Sequence, residues 1–170
     1  MLNEILFTEV IKEAAEQLSK GGAFLTTNYG DKINTMTISW AAMGQIWNKP
    51  VLIVLVRYSR HTYRLIDKSG QFVVSFPAPG QLGKELTLCG TKSGRDIEKF
   101  KECGFKPLEA ATVNAPLIDK CRIHVECKVV YKQAMEPGLL DKNLKKTFYE
   151  PNDNYHVIYY GEVTSCHVDE

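Results

Sequence analysis

A chain of 170 residues, 44% of them apolar, can bury one substantial core and is short for two, so a single domain over 1–170 is expected. The 21 Lys and Arg against 20 Asp and Glu leave a formal charge of +1, too little for a global field that draws in nucleic acid or an anionic membrane; an anion site must be local. No apolar run approaches the roughly 18 residues of a spanning helix and no signal-peptide pattern opens the chain, so a soluble cytoplasmic protein is expected.

Val10, Ile11, Ala14, Ala15 and Leu18 recur at helical spacing and predict a helix from Thr8 to Lys20, stopped by Gly21-Gly22. Ala23 to Thr27 and Ile33 to Trp40 read as a hairpin around the turn Asn28-Tyr29-Gly30-Asp31. Ala41 to Pro50 reads as a loop around Trp47. The β-branched run Val51 to Val56 reads as a strand buried on both faces. Thr62 is placed to cap a helix to Lys68, with a strand from Gln71 to Phe76 behind it. A short amphipathic helix over Leu82, Leu86 and Cys89 follows, then Ser93 as the cap of a helix from Asp96 to Cys103. Ile123 to Tyr131 and Tyr155 to His167 are the last long strands, with a polar excursion from Gln133 to Asn154 expected as a lid or partner-facing loop.

About six strands joined by hairpins and short helices, without βαβ alternation, predict a mainly β fold: an antiparallel barrel with peripheral helices. Neither GxGxxG nor GxxxxGK[ST] occurs, so the usual glycine-rich routes to phosphate are absent. Five Cys, at 89, 103, 121, 127 and 166, include no CxxC, and no metal site is indicated.

Two segments stand apart chemically. Asn34-Thr35-Met36-Thr37-Ile38-Ser39-Trp40 carries small hydrogen-bonding side chains at nearly every second place and ends in Trp, as a strand facing a flat, polar-edged ligand would. Arg57-Tyr58-Ser59-Arg60-His61-Thr62 brings two Arg, one His and two hydroxyls together at the end of an apolar strand, a sensible phosphate receptor. A ring system with a phosphate tail satisfies both. Lys92 and Arg95, beside a helix start, form a further local anion site. The bland readings are strand-filling Thr and Ser, solvated Arg, and core or interface packing for Trp40, Trp47 and Cys89.

Small polar residues ending in Ser39-Trp40, then Ser59-Arg60-His61-Thr62, Ser93-Gly94-Arg95-Asp96 with Lys99-Phe100, Glu126-Cys127-Lys128, and His156 before Gly161-Glu162-Val163 together resemble the flavin-reductase-like proteins with an FMN-binding split barrel, which include flavoredoxins. The resemblance implies a homodimer with non-covalent FMN near the subunit interface, exchanging electrons with NADH, NADPH or a redox protein. It matches Asn34, Thr35, Met36, Thr37, Ser39 and Trp40 to the ring-binding strand and Arg57, Ser59, Arg60, His61 and Thr62 to the segment near phosphate and ribityl chain. Cys89, Gly90, Thr91, Lys92 and Ser93 match a loop closing over the flavin, and His156 a position near the ring or a nicotinamide. The long excursion departs from several reductases and leaves the second-substrate site open. Flavin chemistry resides in the cofactor, so no catalytic acid, base or nucleophile is demanded; Thr35, Thr37 and Ser39 are expected to donate to the ring's pyrimidine edge.

Overall fold

The computed structural model describes residues 2–169. Its strands are β1 (Leu2–Glu4), β2 (Ala23–Tyr29), β3 (Lys32–Ile38), β4 (Ala41–Ile46), β5 (Lys49–Arg57), β6 (Gln71–Phe76), β7 (Pro107–Leu108), β8 (Leu117–Ile118), β9 (Ile123–Ala134) and β10 (His156–Asp169). The helices are α1 (Phe7–Lys20), α2 (His61–Ser69), α3 (Gly83–Thr91), α4 (Lys99–Glu102) and α5 (Lys142–Phe148), with a 3-10 turn at Pro137–Leu139. The main sheet is antiparallel in the order β3-β2-β6-β9-β10-β5-β4, β1 adding to β10, while β7 and β8 pair separately.

The two ends of that sheet path are strands consecutive in sequence. Only Ser39 and Trp40 separate Ile38 from Ala41, so three Cα steps, about 11 Å at most, must bridge the ends. The sheet therefore coils until its edges approach without pairing, which is a split barrel with peripheral helices.

The interior follows the alternation of the strands. Leu25, Leu52, Val54, Val56, Phe72, Val74, Phe76, Val125 and Tyr159 form the core, and α1 lays Phe7, Val10, Ala14 and Leu18 against it. Gly21 and Gly22 both donate to the Gln17 carbonyl, at 2.9 Å each, which ends α1 where the glycine pair predicted. A smaller cluster of Phe24, Leu86, Cys89, Cys103, Phe105, Ile118 and Cys121 packs under α3, with Phe24 and Phe105 edge to face at 5.2 Å. All five cysteines are buried and free. Among the described residues, no helix is long and apolar enough to cross a membrane.

Several expectations need correction. Residues 41–46 form β4, paired with β5 through a two-residue turn at Trp47 and Asn48, both at positive φ. Ala, Gly and Gln hide a strand from propensity, and this turn lacks its usual glycine. β5 alternates between a buried face and a half-exposed one that carries Ile53 and Leu55. Arg60, not Thr62, is the N-cap residue of α2, and Thr62 turns inward. The helix expected over 96–103 is only the single turn α4, because the Ser93 carbonyl accepts from Asp96 and Ile97 in a preceding turn. The excursion is partly ordered: β9 runs on to Ala134, and Asp141 Oδ1 caps α5 by accepting from Asn143 and Leu144 at 2.9 and 3.1 Å.

One glycine is fixed by close approach. β10 shifts register at Tyr160/Gly161, and a Cβ at Gly161 would stand 2.5 Å from Phe72 Cζ and 2.7 Å from Cys127 Cβ. Gly161→Ala is expected to cost roughly 1–3 kcal/mol, read as a lower denaturant midpoint at unchanged slope.

Candidate functional site

Two adjoining cavities lie where the barrel splits. The first, a trench of about 530 Å³, has Met36, Thr37, Ile38, Ser39 and Trp40 along one side and Leu55, Arg57, Ser59, Arg60, Asn154 and His156 along the other. The second, a cup of about 140 Å³, is lined by Asn34, Met36, Ser59, Arg60, His61, Thr62, Thr91, Lys92, Ser93, Gly94, Arg95 and Lys99. Met36, Ser59 and Arg60 belong to both, so trench and cup share a wall.

Local folding places these groups. β5 ends at Arg57, and the next turn starts α2 at His61, so the first-turn amides of α2 face the cup with no side chain capping them. Asn34 on β3 donates to the Thr62 hydroxyl at 2.7 Å and ties strand to helix. Gly94 admits the close approach of its loop: a Cβ there would lie 1.9 Å from Asn34 Oδ1. Arg60 spends one N–H on the Gly90 carbonyl at 2.7 Å, which anchors the C-terminal end of α3 and leaves its other donors for the cavity.

The electrostatics of the cup are one-sided. Among the described residues, no carboxylate lines trench or cup. Burial lowers the affinity of Arg60 for its proton and neighbouring Arg57 adds to the effect. His61 is likewise held below the usual histidine range, by burial first and then by Arg95, Lys32, Lys99 and Arg64. Its Nδ1 is buried without a hydrogen-bond partner among the described residues. Lys99, only 5% exposed, donates to the carbonyls of Thr35 at 2.9 Å and Cys89 at 2.8 Å, and burial pulls its pKa down to about 8. Uncapped helix amides, an unpartnered imidazole nitrogen and buried cations without a counter-ion suit a phosphate group. The trench beside them, apolar at Met36, Ile38, Trp40 and Leu55 with polar edges at Ser39 and Asn154, suits a flat ring.

Most of the residues singled out from the sequence line these walls; Thr35, Cys89 and Gly90 do not. The Thr35 hydroxyl points inward to the Leu25 carbonyl at 3.3 Å and accepts from Thr26 at 3.1 Å, leaving only its backbone to act, through Lys99. Cys89 is buried with its Sγ 3.7 Å from that of Cys103, and Gly90 contributes its carbonyl to Arg60. Thr37 reaches the trench but donates its hydroxyl to the Leu86 carbonyl at 2.6 Å, so it can offer a ligand only acceptor capacity. Among the three expected pyrimidine-edge hydroxyls, Ser39 alone is exposed to the trench with no hydrogen-bond partner among the described residues. Arg57 lies in the trench and not in the cup. Its guanidinium donates to the Asn154 carbonyl and, at 3.0 Å, to that of Phe148, and sits 5.0 Å over the Tyr149 ring, so it is a strut for the excursion.

That strut closes one end of the trench. Phe148 meets Trp40 edge to face at 5.1 Å, and Tyr149 shares a 2.9 Å hydrogen bond with His156 Nδ1. Sequence reasoning assigned no binding role to Ile38, Leu55 and Asn154 in the trench, or to Gly94 and Lys99 as cup walls. Lys99 entered only through the Lys99-Phe100 motif, because its burial depends on α4 packing over β3.

Burial, then Arg57 and Arg60, push the His156 pKa down to about 4 from 6.5. The unfolded chain takes up a proton near 6.5 and the folded protein only near 4, so this contribution to stability is complete above 6.5 and is lost as pH falls through that window. Imidazole resonances followed by NMR are expected to titrate at His156 near pH 4, and a midpoint at 6.5 contradicts its burial.

Residues 15–170 match the flavin reductase like domain. An uncharacterized protein of Archaeoglobus fulgidus is 32% identical over 107 residues, 63% of this chain and 59% of that relative. The chain thus spans about three fifths of the length of the curated relatives it matches. A flavoredoxin from Methanosarcina acetivorans superposes with a TM-score of 0.68 at 26% identity, over 89% of this chain and 69% of that one. An FMN-binding domain of a flavin reductases-like enzyme from Shewanella baltica gives 0.69 at 21% identity, over 99% and 78% respectively, an identity at which the likeness shows the fold alone. With the domain match running nearly the whole length, the chain belongs to the flavin reductase-like family.

Proposed function

We propose that this chain holds FMN non-covalently, its phosphate in the cup and its ring in the trench, and works as an NAD(P)H-dependent flavin reductase. The observation that carries the reading is the cup itself: Arg60, His61, Lys92, Arg95 and Lys99 converge on a cavity that, among the described residues, no carboxylate lines. The flavin, when bound, supplies the hydride and electron chemistry. The protein's part is to retain and orient it. Arg60, Lys99 and the amides of α2 hold the phosphate, Trp40 and Leu55 flank the ring, and Ser39 and Asn154 meet its polar edge. His156, neutral at physiological pH and wedged between Trp40 and Tyr149, is a wall of the second-substrate side and not a proton donor.

A carrier reading has its own support: the excursion is strapped across the trench by Arg57 and Phe148, and one relative is named a flavoredoxin. NAD(P)H bleaching of bound flavin with turnover supports the reductase, and slow bleaching with fast reduction by a redox protein supports the carrier. We also propose a homodimer in a reducing, cytoplasmic setting. The aromatic cluster of exposed Trp47 and Tyr131 with half-buried Tyr160, rings 5.1–6.3 Å apart, fits a contact between two copies. Sedimentation at micromolar concentration tests it, and a monomer that still holds flavin rejects it.

Arg60→Ala is expected to weaken FMN binding by about 10- to 100-fold, since a charge-assisted contact contributes roughly 1.5–3 kcal/mol, and riboflavin should bind the wild type worse by a similar factor. Equal affinities for FMN and riboflavin, read by quenching of flavin fluorescence, remove the cup from the site. Phosphate binds the protonated form of Lys99, so FMN affinity should be highest below about pH 8 and decline as pH rises through it. Lys99→Met should flatten that decline and riboflavin should not show it.

A further inference from the structure

No CxxC in the sequence announces a cysteine pair, but the fold makes one. Cys89, near the end of α3, and Cys103, just after α4, hold their sulfurs 3.7 Å apart in the apolar cluster under α3. A disulfide needs about 2.05 Å, so bonding takes a shift of about 1.7 Å, within reach of small side-chain rotations. Burial, with Cys103 adding to it, pushes the Cys89 thiol up to about 12, and burial raises Cys103 as well. Neither rests as a thiolate, so oxidation of the pair is slow and answers to sustained exposure. Cys103, 7% exposed against 0% for Cys89, is the sulfur that a small oxidant reaches first.

The two cysteines bracket one wall of the cup. Six of the twelve residues that line it, Thr91, Lys92, Ser93, Gly94, Arg95 and Lys99, lie between Cys89 and Cys103 in the chain. Among the described residues, segment 91–98 makes one hydrogen bond beyond itself and its flanking helices, from Arg95 to the Ser59 carbonyl at 3.1 Å. A wall held so lightly belongs to the part of a fold that opens locally at low cost. Its ends are joined by Lys99, whose Nζ donates to the Cys89 carbonyl at 2.8 Å, and by packing in the cluster that both cysteines share. A covalent bond between the two sulfurs closes a ring around the whole wall and restricts its opening.

We propose that hydrogen peroxide converts Cys89 and Cys103 into a reversible disulfide, which staples the cup wall and slows the release of FMN. The effect on FMN rests on the flavin reading above; the cross-link itself does not. In the first step the Cys103 S–O bond forms as the peroxide O–O bond breaks, and one water leaves. The Cys89 sulfur then attacks that of Cys103: the S–S bond forms, the S–O bond breaks, and the thiol proton leaves with the second water. Two thiols lose two electrons, peroxide becomes two waters, and a dithiol reverses the bond.

The test exposes the full chain, with and without FMN, to hydrogen peroxide and reads intact mass, linked peptides and the FMN dissociation rate from flavin fluorescence. The expected result is a loss of two hydrogens located to Cys89 and Cys103, with dissociation about tenfold slower until dithiothreitol restores it. Cys103→Ala should keep the reduced rate and ignore peroxide; if that variant does not fold, the wild type before and after dithiothreitol decides. No cross-link, a link to Cys121 of the same cluster, oxygen retained on Cys103, or a cross-link that leaves dissociation unchanged overturns the proposal. Protein that binds no flavin in either state removes the flavin reading and with it the effect on release, while the mass still decides the disulfide.

Discussion

Buried positive charge without a counter-ion among the described residues is the constraint around which this site is built. A desolvated ammonium or guanidinium costs several kcal/mol unless something negative or strongly polar meets it. Lys99 meets only two backbone carbonyls, and the His61 Nδ1 beside it meets nothing among the described residues. Elsewhere the same fold partners its buried charge fully. Glu126, with no exposed surface, accepts from Ala111, from Thr112 twice and from His167, and those hydrogen bonds outweigh burial and hold its pKa below the usual carboxylate range. The contrast sets the cup apart as a place where an anion would offset buried charge, while the Glu126 cluster is a structural clamp on the 111–112 loop.

The split in the barrel gives that charge its context. Because β3 passes to β4 through two residues, the ends of the sheet must approach, and the unpaired edges leave a trench that no strand fills. The excursion after β9 then covers one end of it. Arg57 grips the carbonyls of Phe148 and Asn154, Phe148 seats on Trp40, and Tyr149 hydrogen-bonds His156. What resembles a loose insertion in sequence is a fixed wall. The burial it imposes on His156 keeps the imidazole neutral where a free histidine would titrate.

Much of the fold was legible, for identifiable reasons. α1, β6 and the long strands β9 and β10 carry strong periodicity or β-branched runs, and their glycine and proline stops are local signals. β4 was not legible, because Ala, Gly and Gln do not read as a strand and its turn relies on Trp47 and Asn48 at positive φ. The short α4 was overcalled because Ser93 has the chemistry of a cap yet forms a preceding turn. At the site, alternation placed Thr35, Thr37 and Ser39 on one face, but which hydroxyls stay free depends on carbonyls from β2 and α3 that no spacing reveals.

The sequence by itself determined the chemistry available: a polar strand ending in Trp40, the cationic run from Arg57 to His61, and no glycine-rich phosphate motif. These are properties of residue type and near spacing, which a linear string preserves. Only the tertiary structure decided that Arg57 braces the excursion while Arg60 faces the cup, and that Lys99, many residues downstream, is buried beneath them. Hydrogen-bond partners and desolvation are set by which distant backbone atoms fold back onto a side chain, and those distances exist only once the sheet has curled.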